Sequence, residues 1–416
     1  MRKSLIALVA GMSVLLTACG GGSGTEQSSP KDSASAKDSS SASAPADAGT
    51  LTLWADEERV NEFKALGEAF KAETGITLKT VQKPTADVKT DFLQQAPSGK
   101  GPDMVVGAHD WMGDLIKNGV IAPVDLSAHA DAFNPVAVQA FTSEGNAYGV
   151  PYAVENIALV RNNKLLKDTP ATFDELIEQG KGAKGAQFPV VIQQGEQGDA
   201  FHLYPLQTSF GAPVFKTDDK GDYTTELAME GAKGEAFAAY LQKLGKAGVL
   251  SADMGGDQAK QAFLDGKSPY MITGPWWTKD FVKAKMDISV LPVPSAGGEP
   301  SAPFVGVQGV YVSSQSKNQV LANQFVEYVA SKEAQDKLFE VGKRTPALQE
   351  SADAVDDPVI KGFAEAGKDG QPMPSIPEMG AVWEYWGGTE VAIISGKSPD
   401  PAKAWQAMNA NIKKKF

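Results

Sequence analysis

The chain has 416 residues, of which 51 are acidic and 39 basic, giving a net charge of −12 with 42 % hydrophobic residues. The acidic balance is spread along the chain rather than gathered in one tail; it argues against nucleic acid as a partner and assigns no substrate. Cys19 is the single cysteine, so a disulfide framework and a cysteine metal site are both excluded and stability has to come from packing.

The chain opens MRKSLIALVAGMSVLLTAC: Arg2 and Lys3, an apolar run from Leu5 to Leu16, then small residues up to Cys19. This is the pattern of a secretory signal rather than a fold element. The run is about a dozen residues long where a bilayer-spanning helix needs roughly 20, so export is expected, with residues 1–18 removed. Loss of Arg2 and Lys3 leaves 37 basic residues against 51 acidic ones, a net charge of −14. The segment Leu16-Thr17-Ala18-Cys19 resembles the lipobox of bacterial lipoproteins, in which the cysteine becomes the lipid-modified first residue. That resemblance implies an extracytoplasmic chain anchored to the cell membrane through Cys19; the alternative is a soluble secreted chain whose small residues form only a cleavage site.

Residues 20–49 contain no Val, Ile, Leu or aromatic residue and cannot bury enough surface to offset the entropy of ordering. With Cys19 they read as a flexible tether, 19–49, of r.m.s. reach about 30 Å. The remaining residues, 50–416, exceed what one core usually serves, so two lobes are expected. Residues 51–54 (LTLW) read as a strand. Val60, Phe63, Leu66 and Phe70 mark one face of a helix that Gly75 can end, and 76–81 reads as a second strand. A short apolar strand at 103–107 precedes a helix over 110–118 that stops at Gly119. Alternation of this kind gives a doubly wound α/β architecture.

Two long extended segments, 150–161 and 304–313, suit strands that cross between lobes. The chain would leave the first lobe, build the second and return, giving a first lobe of 50–153 and 307–352 and a second of 158–302 and 359–416, joined by a hinge. No stretch after the signal approaches 18 consecutive apolar residues, so none is expected to span a bilayer.

The three histidines, His109, His129 and His202, form no HExxH pair and have no cysteine partners, so a zinc site lacks ligands. His109 beside Asp110 could pair a base with its orienter, but sequence neighbours at a helix start usually diverge. The phosphate loop GxxxxGK[ST] and the GxSxG elbow are missing from the sequence, and no GxGxxG turn follows a strand. No catalytic residue, cofactor or metal is therefore expected.

Aromatic residues stand where strands or turns end: Trp111, Tyr152, Tyr204, the pair Trp276 and Trp277 after Pro275, and Trp383, Tyr385 and Trp386 before Gly387 and Gly388. A sugar ring has an apolar C–H face and a rim of hydroxyls. Its site needs flat aromatic platforms with carboxylates or amides beside them, and this chain offers both. Trp54, inside a strand, is assigned to the core. Asp110 is either a ligand contact or a helix N-cap. Glu155, inside an apolar run, needs either an open cleft or a buried partner, and the cleft is favoured.

The spans GPDMVVGAHDWMGDLIKNGVIAPV, YGVPYAVENIALVRNNKLL, GPWW, PFVGVQGVYV and MPSIPEMGAVWEYW, in this order and spacing, resemble the periplasmic maltose- and maltodextrin-binding proteins of ABC sugar importers. The resemblance covers nearly everything after Thr50. It implies two α/β lobes of the type II periplasmic-binding-protein kind that close on a malto-oligosaccharide, and delivery of that sugar to the importer's permease subunits. By position it implies that Asp110 and Glu155 bond sugar hydroxyls and that Trp276 and Trp383 stack on sugar rings. Tyr204 falls at an aromatic stacking position, and the loop Asp56-Glu57-Glu58-Arg59 falls where polar residues reach the sugar, with Glu57 and Arg59 the candidates. Two departures stand out: Gly107 where the best-known members have Trp, and Trp111 where they have Arg. The protein is expected to be a monomer. Other readings are a carrier of another oligosaccharide, a surface glycosidase using two of Asp110, Glu155 and Glu384, or a lipoprotein adhesin.

Overall fold

The computed structural model describes residues 48–218 and 223–416. The expected signal, Cys19 and nearly all of the expected tether lie outside the described residues. Two sheets organise the rest. In the first, strands Gly49–Asp56, Ile76–Lys83 and Met104–Ala108 run parallel, and Phe304–Ser313 runs antiparallel between Met104–Ala108 and Gly149–Asn156. The second has the order Ile288–Leu291, Ala158–Asn162, Tyr270–Thr273, Val191–Ile192, with Ala158–Asn162 antiparallel to both neighbours. Each sheet with its helices is one lobe.

The early elements follow from their apolar pattern. Leu51, Leu53, Trp54 and Ala55 are consecutive or nearly so and all buried, as a central strand covered on both faces requires. Phe63, Leu66 and Phe70 of helix Val60–Thr74 pack into the same core, and Gly75 ends the helix at φ 77°. The expected 110–118 helix is a 3-10 turn, His109–Trp111, leading into helix Met112–Lys117. Gly119 follows it at φ 64°.

The extended run at 150–161 is two strands. Gly149–Asn156 pairs in the first sheet and Ala158–Asn162 in the second, so Ile157 marks one passage between the lobes. Strand Phe304–Ser313 pairs within the first sheet, yet the Phe304 side chain sits in the second core, which makes its start a second passage. A third lies between helix Gln349–Asp353, packed with the first lobe, and helix Pro358–Ala366, packed on strand Ile288–Leu291. The short strand Gln371–Pro372 then pairs with Phe304–Ser313 at the hinge. One hydrophobic core draws on 51–153 and 307–348. A second draws on 157–293 and 373–412 with Phe304, and a third, smaller one joins Val160, Phe263, Met271, Trp277, Phe281 and Phe363.

Helix Met379–Ile394 turns Val382, Trp386 and Glu390 inward at spacings of four. Gly198 admits it closely: a Cβ there would lie 1.9 Å from the Gly387 carbonyl oxygen. Glu390 is fully buried, neither of its oxygens has a hydrogen-bond partner, and the Trp386 indole donates to Gln207 instead. Burial, with Asp199 adding to it, pushes the Glu390 carboxyl well above the usual range. The folded state then holds the proton more tightly than the unfolded chain, so stability is full at low pH and declines as pH rises past the ordinary carboxyl range. Glu390→Gln should therefore be more stable than the parent at pH 8 by about 1–3 kcal/mol. In urea unfolding that difference should shrink toward pH 4, and a variant less stable at pH 8 would contradict the assignment.

Candidate ligand-binding cleft

A cavity of about 510 Å³ lies between the lobes. The first-lobe wall comes from the loops that follow its three parallel strands: Glu57, Glu58 and Arg59 after Gly49–Asp56, Thr85 after Ile76–Lys83, and Asp110 and Trp111 after Met104–Ala108. The second-lobe wall is built the same way, with Gln193 after Val191–Ile192 and Trp276 and Trp277 after Tyr270–Thr273. Open α/β sheets place ligands at the carboxyl ends of their strands because the loops there are free to vary while the sheet holds them still. Asp199, Phe201 and His202 at the start of helix Ala200–Ser209, with Gly256 and Trp383, add to that wall.

The walls touch. The Trp383 indole Nε1 of the second lobe donates to Asp110 Oδ2 of the first at 3.0 Å, and Lys279 Nζ lies 3.5 Å from Glu58 Oε2. Asp110 is thus not an N-cap: neither the 3-10 turn nor helix Met112–Lys117 has a side-chain cap.

The floor is a buried ionic cluster. Glu155 Oε1 accepts from Arg59 Nη2 at 3.0 Å and from Gln308 Nε2 at 2.7 Å, and Glu155 Oε2 accepts from Arg344 Nε at 2.9 Å. Arg59 also pairs with Asp56, and Arg344 with Glu62. Burial opposes the charge on Arg59, but Asp56 and Glu155 outweigh it and hold the guanidinium well above its usual pKa. For Glu62 burial wins over Arg344 and Arg59, and its carboxyl is raised. Glu155 therefore reaches the cavity and has buried partners as well, so the choice posed by its sequence context was not exclusive. Its first task is to hold two guanidiniums.

Of the residues picked from sequence, Glu57, Arg59, Asp110, Trp111, Glu155, Trp276, Trp277 and Trp383 line the cavity. Three do not line it. Tyr152 is buried edge-on against Phe63, with ring centroids 5.3 Å apart. Tyr204 stacks on Phe304 at 3.6 Å in the second core, because helix Ala200–Ser209 is buried on almost every side and presents Phe201 and His202, not Tyr204, to the cleft. Trp386 is fully buried beneath Trp383, 5.4 Å away and stacked, so it supports a cavity residue without lining the cavity. Glu384 points outside, with Lys415 Nζ at 3.2 Å; a catalytic carboxylate pair that includes it is not assembled.

Sequence reasoning missed Gln193, Asp199, His202, Gln308 and Arg344. Asp199 had a readable signal. It stands three residues before His202 and accepts from the His202 backbone N–H at 3.1 Å as the helix cap, while His202 Nδ1 lies 2.9 Å from the same oxygen. The neighbouring His202 holds the half-buried Asp199 carboxyl below the usual range against the effect of desolvation.

Residues 65–367 match the family model for bacterial extracellular solute-binding proteins. The chain belongs to that family. The fold of this solute-binding protein is also that of the maltotriose-binding protein of Thermus thermophilus, solved with maltotriose bound. The TM-score is 0.81 and the identity 32 %, over 88 % of this chain and 99 % of the other. The expected type II arrangement of two hinged α/β lobes is thus present. A galactooligosaccharide-binding protein of Bacillus subtilis is 27 % identical, over 97 % of this chain and 94 % of its own length. A maltooligosaccharide ABC transporter solute-binding lipoprotein of Streptococcus pneumoniae is 27 % identical, over 89 % of this chain and 92 % of its own. Among the described residues no helix is long and apolar enough to cross a membrane.

In this solute-binding protein Arg344→Ala would leave Glu62 and Glu155 buried without their shared cation. The expected loss is about 3–5 kcal/mol of unfolding free energy, read from urea transitions at neutral pH; a loss below about 1 kcal/mol would show that the cluster is not coupled as drawn.

Proposed function

We propose that the protein binds linear malto-oligosaccharides between its lobes outside the cytoplasm and hands them to the permease subunits of an ABC importer, acting as a monomer tethered through a lipid on Cys19. The observation that carries this reading is the cavity itself: Trp111 from one lobe and Trp276 and Trp383 from the other stand beside Asp110, Gln193, Asp199 and Gln308. Indoles cover the apolar faces of sugar rings, and the carboxylates and amides between them serve the hydroxyl rim. The volume is that of small-ligand sites, about 300–1,000 Å³. A ligand touching both walls favours the closed arrangement, which is the form a permease would read. The Leu16–Cys19 segment and the relative named as a lipoprotein support the anchor.

A galacto-oligosaccharide is the second reading, favoured by the Bacillus relative. Isothermal titration of the mature chain with maltose, maltotriose, maltotetraose and a cyclodextrin, beside galactose- and xylose-based oligosaccharides, separates the two. Saturable one-to-one binding confined to α-glucans supports the first reading; binding confined to another sugar replaces the substrate and keeps the carrier. Recovery of maltotetraose intact after overnight incubation is expected of a carrier, and shortened products would mean a hydrolase.

The assignment of the platforms predicts that Trp276→Ala and Trp383→Ala each weaken binding at least about tenfold, or about 1.4 kcal/mol, with the fold intact by circular dichroism. Tyr204→Phe should leave the affinity unchanged, and parent-like affinity in both tryptophan variants would remove the site from this cleft.

A further inference from the structure

Both lobes make the same local arrangement at the cavity wall. Strand Met104–Ala108 ends through Gly107 into the 3-10 turn His109–Trp111; strand Tyr270–Thr273 ends at Gly274 and enters the 3-10 turn Pro275–Trp277. Each turn folds the chain back so that an indole comes to lie over the glycine before it. A Cβ on Gly107 would be 2.3 Å from both Cε3 and Cζ3 of Trp111. A Cβ on Gly274 would be 2.0 Å from Cζ3 and 2.3 Å from Cη2 of Trp276. In each case the six-membered ring of the indole fills the volume that any side chain at the glycine would take. Carbon contacts settle at about 3.5–4.0 Å, so even a methyl group would displace either ring by about 1 Å or more. Both tryptophans line the cavity.

We propose that Gly107 and Gly274 are positioning residues for the ligand, each acting through the tryptophan seated on it and setting how far its indole projects into the cleft. The proposal rests on the reading of the cavity as a sugar site. A pyranose stacks only where the ring face stands at contact distance, and a shift of about 1 Å at a positioning group is enough to lose much of what it contributes. Gly274 does not line the cavity and acts through the indole of Trp276 alone, whereas Gly107 lines it, so its effect through Trp111 is the part the double-mutant cycle isolates. The contacts also limit which side chains positions 107 and 111 can hold together: a large residue at 107 and the present ring of Trp111 exclude each other.

The test is a double-mutant cycle read by calorimetric titration of the mature chain with whichever sugar of the panel above the parent binds. Gly107→Ala is expected to weaken binding about tenfold in the parent but less than about twofold when added to Trp111→Ala, because the added methyl then has nothing to displace. Gly274→Ala should behave the same way against Trp276→Ala. Gly182→Ala, with open space around its Cβ, is the neutral control. Parent-like affinity in both glycine variants, or an equal loss with and without the tryptophan, overturns the proposal. If Gly107→Ala fails to fold, recovery of a folded chain in the double variant with Trp111→Ala supports the seat, and failure to recover overturns it. A parent chain that binds no sugar of the panel overturns the proposed function and this inference together, an outcome distinct from loss in the variants alone.

Discussion

The grip of Glu155 on Arg59 and Arg344 is the contact on which the cleft depends. It joins three pieces of chain far apart in sequence: the loop after the first strand, the strand that leaves for the second lobe, and the segment that returns after helix Lys332–Gly342. Gln308 brings in the returning hinge strand. An ion pair of this kind contributes little net stability once desolvation is counted. Its consequence is geometric, because each of its hydrogen bonds fixes a backbone segment beneath the cavity. The floor can then stay in place while the walls move, and the Asp110–Trp383 and Glu58–Lys279 bridges can form or part without the sheets deforming.

The second lobe has a parallel logic built from rings rather than charges. Phe304 at the start of the hinge strand lies against Tyr204 and edge-on to Trp386, and Trp386 stacks under Trp383. The platform at the cleft is thus the outermost layer of a stack that reaches back to the crossing chain. Aromatic packing of this kind is specific in geometry, so hinge position and platform position are tied together.

Much of the fold was legible because apolar spacing reports burial directly. Leu51 to Trp54 and the Phe63, Leu66, Phe70 face could be read from their periods, and the crossings at 150–161 and 304–313 from their length. The passage near 353–358 could not, since no strand marks it. Most of the residues picked from sequence that line the cavity stand at strand ends, where a loop position already implies a cleft. Tyr204 and Trp386 lie off the cavity for a physical reason: both are on helices buried nearly all round, where periodicity has no polar side to give direction. Tyr152 lies off it because its strand is covered on both faces. Arg344 and Gln308 were invisible because what makes them matter is contact with Glu155, 189 and 153 residues away in sequence.

On the proposed reading, the hydrogen bond between Trp383 and Asp110 occupies two groups that a bound sugar would engage. A ligand arriving there trades one polar contact for another, and the exchange is close to neutral in free energy. What the ligand adds is the covering of indole faces. The thermodynamic signature of association should then be a negative heat-capacity change from buried apolar surface, with discrimination among sugars set by the shape of their C–H faces.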